Sequence, residues 1–315
     1  MSDAVVVVQA RAGSTRLPGK VLLDVGGRSM LDLMLRRLAP LADAGLPIVV
    51  ATSALDRDDP VAEAAAAAGA AVVRGDEADV LGRFLLALDR FPADAVVRLT
   101  ADCPLIDPAI VAATLDLHRR SGAAYTSNTL VRTFPDGLDV EVAVPTALRE
   151  AAAAPDADGA EREHVTPYLY RRPATHLLAQ HCGAEPLGHE RWTVDTAEDL
   201  DVVRRAVAAC SDPLTAPWGE LLDVLGRREV PPGLHAVPDT TIVHQPGRPF
   251  VRRWHLAEAG APAGSATVTV DDGVGTPTLD VAPGREADAL ALVRTLLAAD
   301  AQVRRLLSPT PERLP

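Results

Sequence analysis

Four consecutive valines, Val5 to Val8, run directly into Gln9-Ala-Arg-Ala-Gly-Ser-Thr-Arg-Leu-Pro-Gly-Lys20, and this abrupt change constrains the chain more than any other stretch. A continuous β-branched run has no polar face, so it predicts a strand covered on both sides, as in a parallel sheet flanked by helices. The residues after Val8 cannot extend that strand far. Gly13 and Gly19 permit backbone angles that expose successive N–H groups, while Arg11, Arg16 and Lys20 set three positive charges within ten residues. Such cations repel one another unless an anion neutralises them, so the loop reads as a holder for a triphosphate. Neither common nucleotide fingerprint is present. The interval from Gly13 to Gly19 is one residue too long for Gly-x-x-x-x-Gly-Lys-Ser/Thr, Val21 comes after Lys20, and Gly-x-Gly-x-x-Gly is missing.

The next stretches alternate between the two periodicities. Ser29-Met-Leu-Asp32 reads as a capping box, with Leu31, Met34, Leu35, Leu38 and Leu41 at helical spacing behind it. Pro47–Ala51 is a second strand, Asp59-Pro60 opens a helix that Gly69 closes, and Ala71–Val73 is a third strand. Strand and helix in alternation predict a parallel α/β sheet. Asp94–Leu99 is a fourth strand, succeeded at once by Thr100-Ala-Asp102-Cys-Pro-Leu-Ile-Asp107-Pro108. A carboxylate such as Asp102, at the end of a central strand beside a phosphate loop, suits Mg2+, which prefers hard oxygen donors and substrate phosphates. Asp107-Pro108 has the plainer reading of a helix start. Further on, Asp136-Gly137 is a turn, and Leu138, Val140 and Val142 alternate with Asp139 and Glu141 as in a half-exposed strand with two carboxylates on one face. Ala160 to Tyr170 reads as one helix, and Thr196 to Asp199 as a capping box that leaves Asp195 just outside a helix.

At 315 residues the chain is long enough for about two domains, and an apolar fraction of 48% marks a folded protein. A net charge of −12 argues against a nucleic-acid or anionic-membrane partner, so an anionic ligand needs a local cationic cluster such as the first loop. Cys103, Cys182 and Cys210 are odd in number and widely spaced, which suggests neither a disulfide framework nor a zinc site. With no signal-peptide pattern and no long uncharged apolar run, a soluble cytoplasmic protein is expected.

The run Gln9-Ala-Arg-x-Gly-Ser-Thr-Arg-Leu-Pro-Gly-Lys-Val-Leu22 resembles the signature of cytidylyltransferases of the spore coat polysaccharide type, relatives of the enzymes that make CMP-Kdo and CMP-sialic acid. Four further segments stand in the order this resemblance requires, over about residues 4 to 225: Asp102 before Pro-Leu-Ile, Pro135-Asp-Gly-Leu-Asp-Val-Glu141, Arg162-Glu-His-Val-Thr-Pro-Tyr168, and Asp195-Thr-x-Glu-Asp-Leu200. The resemblance implies a nucleotide-diphospho-sugar transferase fold: an α/β protein with a mixed, Rossmann-like sheet flanked by helices. It implies transfer of CMP from CTP to an anionic small molecule, either an acid sugar or a phosphorylated or phosphonylated metabolite, with release of pyrophosphate. By the same resemblance Gln9, Ala10, Arg11, Gly13, Ser14, Arg16, Lys20, Arg74 and Thr100 bind the nucleotide, and Asp102 and Asp195 hold Mg2+. Arg11, Lys20 and the two aspartates are the catalytic set, while Asp139, Glu141, Arg162 and His164 border the acceptor. A homodimer is common among such relatives. Two rivals share the fold: a glycosyltransferase, which usually carries an Asp-x-Asp pair that Thr100-Ala-Asp102-Cys103 lacks, and a catalytically idle binding protein.

The remainder differs in character. Trp218 to Gly226 makes one short helix, and Val230-Pro-Pro-Gly233 reads as a linker. We expect a cytidylyltransferase domain over 1–228, a linker over 229–240, and a small α+β accessory unit over 241–315 with strands at Ser265–Val270 and Thr278–Val281 and a helix from Ala287 to Leu307. That unit is faintly similar to half of a Gcn5-related acyltransferase but lacks its glycine-rich pyrophosphate loop.

Overall fold

The computed structural model describes residues 2–130, 132–172, 175–228, 233–238, 242–244, 250–258, 261–271, 274–298 and 305–306. The valine run forms strand β1 (Ser2–Gln9). Val6 and Val8 pack into the core on one face of the sheet, Val5 and Val7 into the core on the other, and all four are fully buried. This two-sided burial is what the continuous apolar pattern demands, and each valine contributes about 1.5 kcal/mol or more.

After the first loop come a two-strand ribbon, β2 (Asp24–Val25) and β3 (Arg28–Ser29), and helices α1 (Met30–Arg37) and α2 (Ala39–Asp43). The Ser29 side chain accepts from the Asp32 N–H at the start of α1, as its spacing predicts. The chain continues through β4 (Ile48–Ser53), α3 (Asp59–Ala67), β5 (Ala71–Gly75), α4 (Val80–Arg90), β6 (Ala93–Thr100) and α5 (Pro108–Ser121). Next come β7 (Tyr125–Ser127), β8 (Glu141–Ala143), α6 (Pro145–Ala153), α7 (Gly159–His164), α8 (Pro167–Tyr170), β9 (Leu178–Gln180), α9 (Ala197–Ala209) and α10 (Trp218–Leu225). The last described elements are β10 (Leu234–Pro238), β11 (Ile242–His244), β12 (Phe250–Glu258), β13 (Ala261–Asp271), β14 (Val274–Val281), α11 (Glu286–Ala298) and β15 (Arg305–Leu306).

The large sheet has the order β11-β9-β7-β8-β6-β1-β4-β5. Strands β5, β4, β1 and β6 are parallel, and β8 pairs antiparallel with β6. The chain leaves β1 toward β4 on one side and later returns to β6 on the other, so the order reverses at β1. Open α/β sheets bind ligands outside the carboxyl ends of their strands at such a point. The cationic loop begins there.

Two sequence expectations change in this region. Leu138 to Val140 are not in a strand; only Glu141–Ala143 is, and Leu138, Val140 and Val142 are fully buried. Residues 160–170 are not one helix, because the chain breaks between α7 and α8 at Val165, whose φ of +72° no helix accommodates. Pro167 contributes to the break, since it has no N–H to continue the hydrogen-bond ladder of the turn before it.

A second sheet, β10-β12-β13-β14-β15, carries α11, and Trp254, Leu256, Val268, Val270 and Val293 form its core. Of the expected linker, residues 229–232 and 239–240 lie outside the described residues, while Leu234–Pro238 is an edge strand of this sheet. Ile242–His244 pairs instead with β9 of the large sheet. The final helix is described over Glu286–Ala298, and Arg305–Leu306, expected within it, instead pairs parallel with β14.

Candidate active site

Loop 10–19 is held in shape from within. The Ala12 carbonyl accepts from both the Ser14 and Gly19 N–H groups, at 2.8 and 3.0 Å, and Gly19 takes the left-handed φ of +67° that lets the chain turn into Lys20. Gly13 has a different reason to lack a side chain: a Cβ there would lie 3.0 Å from a Glu77 carboxylate oxygen that is already paired with Arg57. The anchor that sequence reasoning missed is Asp58. It is fully buried, accepts from the Ala12 N–H at 2.7 Å, and accepts from the Ser53 hydroxyl. Its place before Asp59-Pro60 looks like ordinary helix-start chemistry, which is why the sequence gives it no distinction.

Above the carboxyl ends of β1 and β6 lies a cavity of about 390 Å³. Gln9, Ala10, Arg11, Gly13, Ser14, Arg16, Lys20, Thr100, Asp102, His164 and Asp195 all line it. The structure therefore gathers most of the residues that the motifs single out, from segments spread over nearly 190 positions. At its centre the Lys20 ammonium donates to Asp102 Oδ2 at 3.1 Å, Asp195 Oδ1 at 3.0 Å and the Val194 carbonyl at 2.8 Å. Arg16 reaches the same Asp195 oxygen at 3.0 Å, and Arg191 takes its other oxygen at 2.8 Å. Burial opposes ionisation of Asp195, but Lys20, Arg191 and Arg16 outweigh it and hold the carboxyl below the usual carboxylate range. Thr196 caps α9 with Asp199 in a reciprocal box, so Asp195 is free of capping duty.

Two expected residues are not brought in. Arg74 donates to the Ser53 and Leu55 carbonyls, both at 2.9 Å, and pairs with Asp59 at 2.6 Å. Arg162 faces α4 and pairs with Asp79 at 3.4 Å; on a short helix with 3.6 residues per turn, its neighbours Glu163 and His164 face the cavity instead. The arginine that does enter from the 74–83 segment is Arg83. It is 2% exposed, donates to the Asp76 and Glu77 carbonyls at 2.7 and 2.9 Å, and leaves its Nε without a partner. Burial, with Arg11 nearby, lowers its pKa from the ordinary arginine value.

A second cavity of about 470 Å³ adjoins the first, and Arg98, Thr100 and His164 line both. Asp139 and Glu141 both line it, although only Glu141 lies in a strand, and neither faces bulk water freely. Glu141 is 8% exposed and pairs with Arg98, its cross-strand partner, while accepting from Tyr125 at 2.7 Å and Thr166 at 2.5 Å. Burial works against the charged Arg98, but Glu141 more than compensates and raises its pKa. Asp139 is held by the two-pronged Arg132, at 2.6 and 3.0 Å. Arg98 has a readable signal, a lone arginine in Ala95-Val-Val-Arg98-Leu99, whereas Arg132 has none.

Whether Mg2+ fits can be judged from the donors. Two carboxylates converge on one point that a cation, the Lys20 ammonium, already satisfies. Among the described residues no group of three or more His, Cys, Asp or Glu side chains forms a closed metal site. Two hard oxygen ligands beside an open cavity are what Mg2+ uses when phosphates and water complete its shell, so the donor set fits.

The comparisons with known proteins agree with one another. The family model described as Cytidylyltransferase matches residues 5–204. The chain is 30% identical to the spore coat polysaccharide biosynthesis protein SpsF of Bacillus subtilis over 234 residues, covering 72% of this chain and 95% of that one. It is 36% identical to a 3-deoxy-manno-octulosonate cytidylyltransferase of Methylobacterium nodulans over 254 residues, covering 66% and 98%. Among solved structures, a cytidylyltransferase from Leptospira borgpetersenii superposes with a TM-score of 0.66 at 30% identity, covering 71% of this chain and 94% of that one. This chain belongs to the cytidylyltransferase family and is a CTP-dependent nucleotidyltransferase.

Proposed function

We propose that residues 1–228 form the catalytic unit and transfer CMP from CTP to an acid sugar for polysaccharide biosynthesis, with release of pyrophosphate. The observation that carries this reading is the convergence of Lys20, Asp102 and Asp195 in a cavity that opens into a second one across Arg98, Thr100 and His164. The triphosphate occupies the first cavity and the acceptor the second. Arg11, Arg16, Lys20 and the loop N–H groups neutralise the β- and γ-phosphates, which leave as pyrophosphate. An acceptor hydroxyl attacks the α-phosphorus in line; the P–O bond to the β-phosphate breaks, and the hydroxyl proton departs to solvent. His164 on the shared wall positions that hydroxyl. Asp102 and Asp195 would hold Mg2+, which supplies charge neutralisation at the phosphates when bound. Little bond-making falls to the side chains, so the residues act by orientation and electrostatics.

Similarity to SpsF and to 3-deoxy-manno-octulosonate cytidylyltransferases supports an acid-sugar acceptor. A phosphorylated or phosphonylated metabolite is the alternative acceptor. Among the described residues no helix is long and apolar enough to cross a membrane. The three cysteines are free thiols, which supports a cytoplasmic setting. A homodimer completes the reading and is checked by light scattering.

The test is pyrophosphate release from each of the four nucleoside triphosphates with Mg2+, against acid sugars and phosphorylated metabolites. Release with CTP and an acid sugar is expected. Asp102→Asn and Asp195→Asn should each lose about a hundredfold in kcat, or about 2.7 kcal/mol. A loss under tenfold in both variants rejects the assignment of these aspartates.

A further inference from the structure

A chain of ion pairs joins the second cavity to the centre of the first. Arg132, which lines the second cavity, pairs with Asp139 and also with Asp136 at 3.2 Å. The other oxygen of Asp136 accepts from Arg191 at 2.9 Å, and Arg191 in turn holds Asp195 at 2.8 Å. Asp195 is the carboxylate that shares Lys20 with Asp102. The backbone beneath this chain is tightly joined. The Asp136 carbonyl accepts from the N–H groups of Trp192 and Thr193, the Asp102 carbonyl accepts from Val194, and a Cβ on Gly137 would meet the Thr193 nitrogen at 2.5 Å. The carboxylates and guanidinium groups can therefore change partners while their Cα positions stay fixed.

We propose that Arg132, Asp136 and Arg191 couple the two cavities: an anion that engages Arg132 leaves Asp136 to Arg191 alone, Arg191 relaxes its hold on Asp195, and Asp195 then binds the divalent cation more tightly. Asp136 is divided between two arginines, so neutralising one removes its pull and frees the carboxylate to settle closer to the other. Asp199, 3.1 Å from the Arg191 Nε, is the pivot that keeps the guanidinium in place as its outer nitrogens shift. Linkage makes the effect reciprocal, so a cation at Asp195 tightens the anion at Arg132. Acceptor and metal thereby assemble together, and nucleotide bound without acceptor holds its metal loosely. The three residues are positioning residues; Arg132 alone also touches the acceptor.

The inference rests on the proposed metal site, and the experiment separates the two. Mn2+ is titrated into the full-length protein carrying CTP and no acceptor, the state in which the triphosphate draws Lys20 off the two carboxylates, and free Mn2+ is tracked by its electron paramagnetic resonance signal against CTP alone. If Asp102→Asn and Asp195→Asn leave Mn2+ affinity unchanged, the metal site itself is misassigned. With that site verified, Arg132→Gln mimics the neutralised arginine and should bind Mn2+ about fivefold more tightly than the wild type. Asp136→Asn should bind it more weakly, and in that background Arg132→Gln should have no effect. Equal effects of Arg132→Gln in both backgrounds mean simple through-space charge and overturn the coupling. Should Arg132→Gln fail to fold, as judged by circular dichroism melting, Arg191→Gln serves the same purpose. Without Arg191, Asp136→Asn should no longer change Mn2+ affinity, and an undiminished change overturns the proposal.

Discussion

The Lys20 Nζ lies 3.1 Å from Asp102 Oδ2, although 82 residues separate the two in sequence. Lys20 sits at the exit of the cationic loop after β1 and Asp102 just past the end of β6, so adjacency of β1 and β6 brings them together. The ammonium lies where the two carboxylates would otherwise repel each other. On the proposed function, a triphosphate that draws Lys20 toward its own oxygens would open that position to a metal ion, so the lysine would be an internal cation exchanged during loading.

Lys20→Met tests this exchange. Without its ammonium, Asp102 and Asp195 face the same space uncompensated, so Mn2+ should bind the nucleotide-free variant more tightly than the wild type. Turnover with CTP should nevertheless fall about a hundredfold, because a charge aimed at the leaving group is lost. Metal titration and pyrophosphate release measure the two effects separately. Turnover within threefold of wild type in the methionine variant would falsify the role given to Lys20.

The Arg98–Glu141 pair supports a stability prediction. Both side chains are nearly buried, at 13% and 10% exposure, and Tyr125 and Thr166 complete the carboxylate's shell. Glu141→Ala leaves Arg98 charged and uncompensated, and should destabilise the protein by about 3 kcal/mol in urea unfolding. Replacing the pair together, Arg98→Met with Glu141→Leu, should cost less than Glu141→Ala alone, since no buried charge then remains. The opposite order would show that the pair is not the source of the cost.

How much of the fold and the site is legible in the sequence depends on whether a residue's partner lies in its own segment. The valine run predicts the buried strand, and the capping boxes at Ser29 and Thr196 predict helix starts, because both signals are local. Lys20, Asp102 and Asp195 each belong to a recognisable motif. Arg74 and Arg162 belong to motifs too, but which way a side chain points at a strand end or on a two-turn helix is decided by neighbours the sequence does not show. Asp58, Arg132 and Arg191 carry no sequence signal for a related reason. Asp58 acts on the Ala12 N–H and Arg191 on Asp136, both in distant segments, while Arg132 with Asp139 and Arg191 with Asp195 meet along irregular chain that no helix or strand period announces.

A buried histidine sets the acid side of stability. His118 on α5 is 4% exposed and its Nδ1 lies 3.0 Å from the Thr126 hydroxyl; burial, with Arg119 adding repulsion, pushes its pKa down to about 4. The unfolded chain takes up this proton near pH 6.5 and the folded protein only near 4. Stability is therefore full above about pH 6.5, falls as pH drops through that window, and levels off below it, a loss of about 3 kcal/mol. His176 and His181 are shifted in the same direction by burial and add to the slope. Urea unfolding of His118→Gln between about pH 7 and 4 should show a shallower decline than the wild type. An unchanged slope would mean that His118 is protonated in the folded state.

Val165 stores strain beside the shared wall of the two cavities. Its φ and ψ of +72° and −53°, with the Thr166 N–H donating to the His164 carbonyl at 2.8 Å, describe the rare, strained form of the γ-turn. A β-branched side chain at positive φ costs on the order of 1–3 kcal/mol, and the fully buried valine offsets part of that by packing. The turn aims His164 into both cavities and brings Thr166 onto Glu141. Glycine and alanine separate the two contributions. Val165→Ala loses packing and keeps the strain, whereas Val165→Gly loses packing and relieves it. Glycine is ordinarily the less stable of the two at a folded position, so here the order should invert, with Val165→Gly more stable than Val165→Ala by about 1 kcal/mol in urea unfolding. The same glycine should lower kcat more than alanine does, because a relaxed turn no longer fixes His164 at the junction. Normal ordering, with glycine the weaker variant, would show that this backbone is not strained.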